Sequence, residues 1–266
     1  MSILTAIGSI LTYMQAVIAL ITDFGTKDGF VGAMKGVMLS INPQLQIVDI
    51  THHVEPFNVF EGALLLKAHY KYFPKGTIFV CVVDPGVGSS RKPLAVRCGS
   101  YTFVGPHNGI FDLALREMGG DVLAYQIENY TLKRVNETFH GRDIFAPVAA
   151  HLSLGLPIEE VGKRITYTFL LQWEEPVVCG NQVRGKIVYF DRFGNCITNV
   201  PCGAYTEAEF RGKKVRIVSH FLEQKENEPA FLCGSFGLME LFLPMDSAKD
   251  RLKIRLGEEV VLLTKS

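Results

Sequence analysis

The stretch AVIALITDFGTKDGFVGAMKGVMLSINPQLQIVDI, Ala16 to Ile50, decides the fold class. Ala16 to Thr22 is an uncharged apolar run closed by Asp23 and Gly25, and it reads as a strand buried on both faces. Phe30 to Ile41 repeats apolar side chains at helical spacing and stops at Asn42-Pro43, because proline lacks an N–H and disfavours helical geometry in the residue before it. Leu45 to Ile50 is a second strand. Strand, helix and strand in this order make a crossover between parallel neighbours. The pattern continues outward: Val59 to Tyr72 is expected as a helix ending before Pro74-Lys75-Gly76, and Thr77 to Val83 as a third strand running into Asp84-Pro85-Gly86-Val87-Gly88. Residues 1–165 are therefore expected to form an α/β domain with a largely parallel central sheet. In such sheets ligands sit beyond the carboxyl ends of the strands, so the loops after each strand are where chemistry is sought.

The pattern changes near residue 155. Gly155 to Leu170 reads as a connector, and the short β-like runs Lys186–Phe190, Lys214–Ser219 and Glu259–Thr264 predict a smaller, β-rich, barrel-like domain over residues 180–266. Glu223 to Glu228 reads as a solvated loop.

Hydrophobic residues at 48% and charged residues at 20% exclude both a disordered chain and a polytopic membrane protein. Lys plus Arg and Asp plus Glu both number 27, so no global field gathers nucleic acid or acidic lipid, and neither is expected as a partner. The six cysteines include no CxxC pair, which argues against a zinc knuckle or a thioredoxin-like motif; reduced, mostly buried thiols of a cytoplasmic protein are expected. Met1 to Thr22 carries no charge, yet lacks the basic start and small-residue cleavage site of a secretory signal. Its first fourteen residues are expected to be an apolar extension that packs on the body or on a neighbouring subunit.

Several polar clusters follow apolar runs, and each admits two readings. Asp23 and Asp28 flank Gly25; a carboxylate there either accepts hydrogen bonds from a ribose diol or serves as a loop or cap residue. Asp84 leaves a buried strand and Arg91 lies seven residues on, where the loop can fold back; the pair either serves a ligand or staples the loop. His140, before Gly141, sits on a loop at a helix start as a ligand-facing or a structural histidine, with Asp143 as a first-turn acid. His52, His53 and His107 are further loop histidines without metal-binding spacing. Asp191, Phe193 and Asn195 either receive an amino-acid head group and a base or form a hairpin with Asx turns. Gly234-Ser235-Phe236-Gly237 is a small-residue turn before an apolar strand.

Together, the ordered segments ITDFGTKDGFVGAMKG, DITHHVEPF, FPKGTIFVCVVDPGVGSSR, TFHGRDIFAPVAAHL and DRFGNCITN resemble the S-adenosyl-L-methionine hydroxide adenosyltransferases, the adenosine-forming hydrolases related to fluorinase and chlorinase. The resemblance runs from about Ala16 to the C-terminus. It implies an N-terminal α/β domain, a β-rich C-terminal domain, and a homotrimer with ligand sites at subunit interfaces. By the same resemblance, Asp84, Arg91 and His140 handle the nucleophilic water. The halogenases carry Tyr where Asp84 and His140 stand, so hydrolysis is implied over halide transfer. Asp23 would bind the ribose hydroxyls, Asp28 and Asp191 the methionine amine, and Phe57 would line the sugar and adenine region. Phe139, Phe193, Asn195 and Ser235 fall on pocket segments. Two positions depart from the family's pattern: His107 replaces an Asp and Pro244 an Asn.

The implied reaction is attack of water or hydroxide on C5′ of S-adenosyl-L-methionine, giving adenosine and methionine. The sulfonium leaves as a neutral thioether, which needs neither a general acid nor a metal, so no cofactor is expected. His140 and Arg91 would orient the water with Asp84 holding both, or Asp84 would receive the proton. The competing readings are a halide-dependent halogenase of the same fold, a non-catalytic S-adenosyl-L-methionine or adenosine sensor, and a metal-dependent phosphoesterase.

Overall fold

The computed structural model describes residues 16–225 and 227–265. The apolar extension expected over the first fourteen residues lies outside them. The chain divides into two compact units, Met1–Leu171 and Gln172–Ser266. No helix among the described residues is long and apolar enough to cross a membrane.

In the first unit, β1 (Val17–Thr22) leads through a loop to α1 (Phe30–Ile41) and then β2 (Gln46–Thr51). Met34 and Met38, one turn apart on α1, are its buried residues, and the helix ends where the Asn42 N–H donates to the Met38 carbonyl (2.9 Å) just ahead of Pro43. α2 (Val59–His69) starts on Asn58, whose side chain accepts from the Glu61 N–H (3.1 Å) while donating to the Glu61 carboxylate (3.2 Å), a reciprocal cap. The wholly buried β3 (Ile78–Val82) follows. β4 (Pro93–Cys98) and β5 (Tyr101–Pro106) form a hairpin, and α3 (Asp112–Met118) and β6 (Val122–Ile127) come next. A π-helical turn, Gly141–Phe145, runs into α4 (Ala146–Ser153), and β7 (Gly162–Ile165) ends the unit.

The sheet order is β2-β1-β3-β5-β4-β6-β7. The pairings among β2, β1, β3 and β5 are parallel; β4 and β7 run against the rest. Ile18, Leu20, Val80, Val104 and Phe145 join Met34 and Met38 in one buried cluster.

The stretch expected as a connector, Gly155 to Leu170, contains a 3-10 turn (Ile158–Val161) and β7. Ile158 and Val161 are buried, an apolar pair hidden among charges. Gly162 lies so near the Gln126 carbonyl that a Cβ would sit 2.1 Å from it, so glycine permits β7 to join the edge. Residues after β7 are tied down by the buried Asp112, which accepts from the Tyr167 hydroxyl (2.5 Å) and from the N–H groups of Leu170 (2.6 Å) and Leu171 (2.7 Å). His107 has a structural contact here: its Nε2–H donates to the Thr168 carbonyl at 2.9 Å.

In the second unit, the strands are β8 (Val177–Cys179), β9 (Gln182–Phe190), β10 (Cys196–Pro201), β11 (Tyr205–Phe210), β12 (Lys213–Ile217), β13 (Ala230–Cys233) and β14 (Leu238–Phe242). A short helix α5 (Ala248–Arg251) precedes β15 (Glu259–Thr264). The order β10-β14-β13-β12-β11-β15-β9, with β9 also paired to β10, closes a barrel, and β8 extends it at β9. Ile187, Phe231, Leu241, Val260 and Leu262 fill its interior.

The expectation of six reduced thiols is corrected here: Cys202 and Cys233 form a disulfide, their Cα atoms 5.2 Å apart. Pro201 pairs with Leu238 and Cys233 with Met239, so both cysteines flank the start of β14 although 31 residues separate them. Such proximity is a product of topology and is invisible in spacing. Cys81, Cys98 and Cys196 are buried free thiols, and Cys179 is an exposed one.

Glu240, in the middle of β14, is buried against Gly234. Burial, with the negative charge of Asp191 adding to it, pushes its carboxyl up to about 7.

Two outcomes follow from these buried carboxyls. Asp112→Ala strands the N–H groups of Leu170 and Leu171 and is expected to cost about 3 kcal/mol in urea unfolding, against about 1.5 kcal/mol for Tyr167→Phe. For Glu240, a folded-state pKa above the unfolded one contributes stability that is complete below the unfolded value and lost as pH rises through about 7. Glu240→Gln should therefore raise the thermal midpoint, relative to wild type, more at about pH 8 than at about pH 5. Equal differences at both pH values would contradict this assignment.

Candidate active site

In the first unit the loops after β1, β2 and β3 meet the π-helical turn that opens α4. Asp84 follows β3 by two residues, and the Val87 N–H donates to its carbonyl (3.2 Å), starting a tight bend. Gly88 (φ 75°) is the pivot: a Cβ there would lie 2.6 Å from the Glu137 carbonyl, so only glycine lets this loop lie against the segment leading to His140.

The bend returns Arg91 to Asp84. Arg91 Nε donates to Asp84 Oδ1 at 3.0 Å and Nη2 donates to Oδ2, a two-pronged ion pair between side chains that are 9% and 5% exposed. Nη2 also lies 2.7 Å from His140 Nδ1. A guanidinium only donates, so Nδ1 is the acceptor, and a neutral ring then carries its proton on Nε2. Burial and then the Arg91 charge hold the His140 pKa below the usual histidine value, outweighing the opposite pull of Asp84, Glu137 and Asp143. The Arg91 guanidinium lies 5.5 Å from the centre of the Phe145 ring, and its Nη1 is buried without a hydrogen-bond partner among the described residues.

Asp84 and His140 border a cleft of about 270 Å³ that Asp23, Phe57 and Phe139 also line, together with Phe24 and Phe30, while Arg91 stands behind them. Phe24, Phe30 and Phe139 meet edge to face with ring centres 5.3 to 5.9 Å apart, making an apolar wall. Asp23 Oδ2 accepts from the Phe57 N–H at 2.9 Å. That bond helps hold Phe57 at φ 67°, the residue as a whole being 71% exposed. A bulky residue in the left-handed region is an outlier that concentrates at functional sites. The structure thus brings Asp23, Phe57, Asp84, Arg91, Phe139 and His140 together. Asp28 is exposed on its loop and does not line the cleft.

In the second unit, Asp191 Oδ1 accepts from the N–H groups of Phe193 (2.9 Å) and Asn195 (2.8 Å), and Oδ2 accepts from Asn195 Nδ2 (2.9 Å). This is the Asx-turn arrangement, and it leaves Phe193 75% exposed on the loop. Ser235 is exposed in the turn before β14, and Glu240 lies behind that turn. Sequence reasoning passed over Glu240, although an acid inside the apolar run Leu238–Phe242 is a readable signal. It also passed over Phe24 and Phe30, whose inward direction depends on loop geometry. Among the described residues, no group of three or more His, Cys, Asp or Glu side chains is arranged to hold a metal ion.

Known proteins resemble this chain in sequence and fold. Residues 18–162 match the SAM hydroxide adenosyltransferase N-terminal domain, and residues 185–261 match the C-terminal domain. An (R)-S-adenosyl-L-methionine hydrolase of Thermus thermophilus is 35% identical, over 91% of this chain and 98% of that protein. A fluorinase of an Actinoplanes species is 31% identical over 69% of this chain and 71% of its own length. A crystal structure of a Thermotoga maritima protein superposes with a TM-score of 0.85 at 36% identity, covering 92% of this chain and 99% of that one. With both domains matched in order, the chain belongs to the SAM hydroxide adenosyltransferase family.

Proposed function

We propose that this chain is an enzyme that hydrolyses S-adenosyl-L-methionine to adenosine and L-methionine, with water displacing the sulfonium at ribose C5′. The observation that carries the reading is the Asp84–Arg91–His140 chain of contacts at the edge of an aromatic-walled cleft. The name of the hydrolase relatives supports it and adds a preference for the (R)-sulfonium epimer.

The chemistry follows from the donor and acceptor roles. His140, with Nδ1 taken by Arg91, offers Nε2–H to a water oxygen. Asp84 lines the cleft and, as an ionised carboxylate, accepts a proton from that water. One lone pair of the water is then left for C5′. As the C–O bond forms, the C–S electron pair returns to sulfur, methionine leaves neutral at that atom, and the water proton passes to Asp84. Such alignment of nucleophile and carbon is worth on the order of 7–11 kcal/mol of barrier. Asp23 would accept from the ribose hydroxyls, and Phe57 and Phe139 would cover the sugar and base.

Asp191, Phe193, Asn195 and Ser235 of the second unit, with Asp28, would receive the methionine end. Phe57 and Phe193 each stand exposed on their own unit, and this reading has each unit's half-site completed by a neighbouring subunit in a homotrimer. A cytoplasmic location is part of this reading, in which the Cys202–Cys233 pair is a cytoplasmic disulfide beside four free thiols among the described residues.

The test is incubation with S-adenosyl-L-methionine in oxygen-labelled water. Adenosine labelled at its 5′ oxygen is expected, and unlabelled adenosine would refute attack at C5′. Asp84→Asn, which keeps the shape but removes the proton acceptor, should lower kcat by about 100-fold or more while adenosine affinity changes by less than about threefold.

A further inference from the structure

We propose that His52 is a positioning residue for the nucleoside, setting through Thr22 the backbone that aims Asp23 into the cleft. The inference rests on the reading that Asp23 holds the ribose hydroxyls, and extends it to residues that touch no ligand.

β1 and β2 run in parallel register until Leu20 opposite Asp49, but the next pair is Ile21 with Thr51, so Ile50 is an extra residue. A bulge of this kind re-aims the chain beyond it, and bulges concentrate beside active sites. Here it is followed by His52, 5% exposed, whose ring bridges two elements. Nε2 lies 3.0 Å from Asp49 Oδ1, and Nδ1 lies 2.8 Å from the hydroxyl of Thr22, which is fully buried. The other Asp49 oxygen meets Lys35 Nζ of α1 at 2.6 Å. Burial works to raise the Asp49 pKa, but Lys35 and His52 together hold it below the usual range, so the carboxylate is ionised and can only accept. Nε2 is buried and makes no aligned hydrogen bond among the described residues, with Asp49 only at ion-pair distance, so the ring's direct tie to the loop is its Nδ1 contact with the Thr22 hydroxyl.

Thr22 spends its remaining capacity on the loop. Its Oγ accepts from the Phe24 N–H at 3.2 Å. The main chain is tied at the same place: the Gly25 N–H donates to the His52 carbonyl at 2.7 Å, with Gly25 in the left-handed region at φ 64°. Asp23 stands between Thr22 and Phe24, both of them fixed, and reaches the Phe57 N–H from there. The chain Lys35–Asp49–His52–Thr22 therefore ends at the backbone on either side of the ribose-binding carboxylate. The bulge and the double tie to one loop, through the ring and through the His52 carbonyl, set this histidine apart from one that only fills a core.

The experiment is steady-state kinetics of the full chain with S-adenosyl-L-methionine, using Asp23→Asn, the near-isosteric Thr22→Val, His52→Leu and His52→Asn, with thermal midpoints recorded for each. Asp23→Asn is expected to raise KM about tenfold, and Thr22→Val and His52→Leu about three- to tenfold, with kcat within about twofold, the pattern of lost uniform binding. His52→Asn, which puts an oxygen near the Nδ1 position, should recover most of the loss. Thr22→Val combined with Asp23→Asn should be no worse than Asp23→Asn alone, because the two act in series. An unchanged KM in Asp23→Asn overturns the ribose reading and the proposal with it. A raised KM in Asp23→Asn beside unchanged KM in Thr22→Val, or additive losses in the double variant, overturns the His52 relay alone.

Discussion

Arg91, itself nearly buried, divides its guanidinium between a carboxylate and an imidazole at the edge of the cleft. Nε and Nη2 grip Asp84 as a fork, and Nη2 reaches His140 as well. Arginine alone supplies this geometry, because its planar donors meet a carboxylate edge and a ring nitrogen together, which a lysine point charge does not. Removing either ionised partner would leave an uncompensated buried charge, which costs about 3–5 kcal/mol. The same contact determines protonation: a donor facing Nδ1 leaves Nε2–H as the ring's polar edge, and the nearby positive charge opposes a second proton. Stability and chemistry are thus served by one set of hydrogen bonds.

The fold brings these side chains together from distant parts of the chain. Parallel order among β2, β1, β3 and β5 sends the loops after β1, β2 and β3 to one end of the sheet. The π-helical turn at Gly141–Phe145 brings His140 to the same end, and Gly88 allows the Asp84 loop to lie against it. Aromatic rings from α1 and from the loops around Phe24 and Phe139 wall the cleft, where a low-dielectric lining strengthens each polar contact inside it.

The buried strands and the amphipathic α1 were legible in the sequence because burial on both faces leaves continuous apolar runs, and α1 keeps the bounds Phe30–Ile41 read from its spacing. The spacing of Asp84 and Arg91 was legible too, since Pro85 and the glycines between them demand a turn. Other features depend on contacts between distant residues. β7 rests on two apolar side chains and one glycine, too weak a signal among charges. The Cys202–Cys233 pair depends on which strands flank β14, and the meeting of His52 with Thr22 depends on a one-residue register slip. Periodicity carries neither kind of information. Residue types marked Asp23 and His140 as candidates, while hydrogen-bond roles emerged only with coordinates.

The protonation state of His140 in the resting protein is the most direct check on this arrangement, because the water-orienting step depends on it. Nitrogen-15 NMR of the ring at neutral pH distinguishes the two neutral tautomers from the cation. A neutral ring protonated at Nε2 is expected, with the signal moving upfield to the charged form only on the acid side of the usual histidine range. A ring protonated at Nδ1, or doubly protonated at neutral pH, would contradict the shared guanidinium on which the site is built.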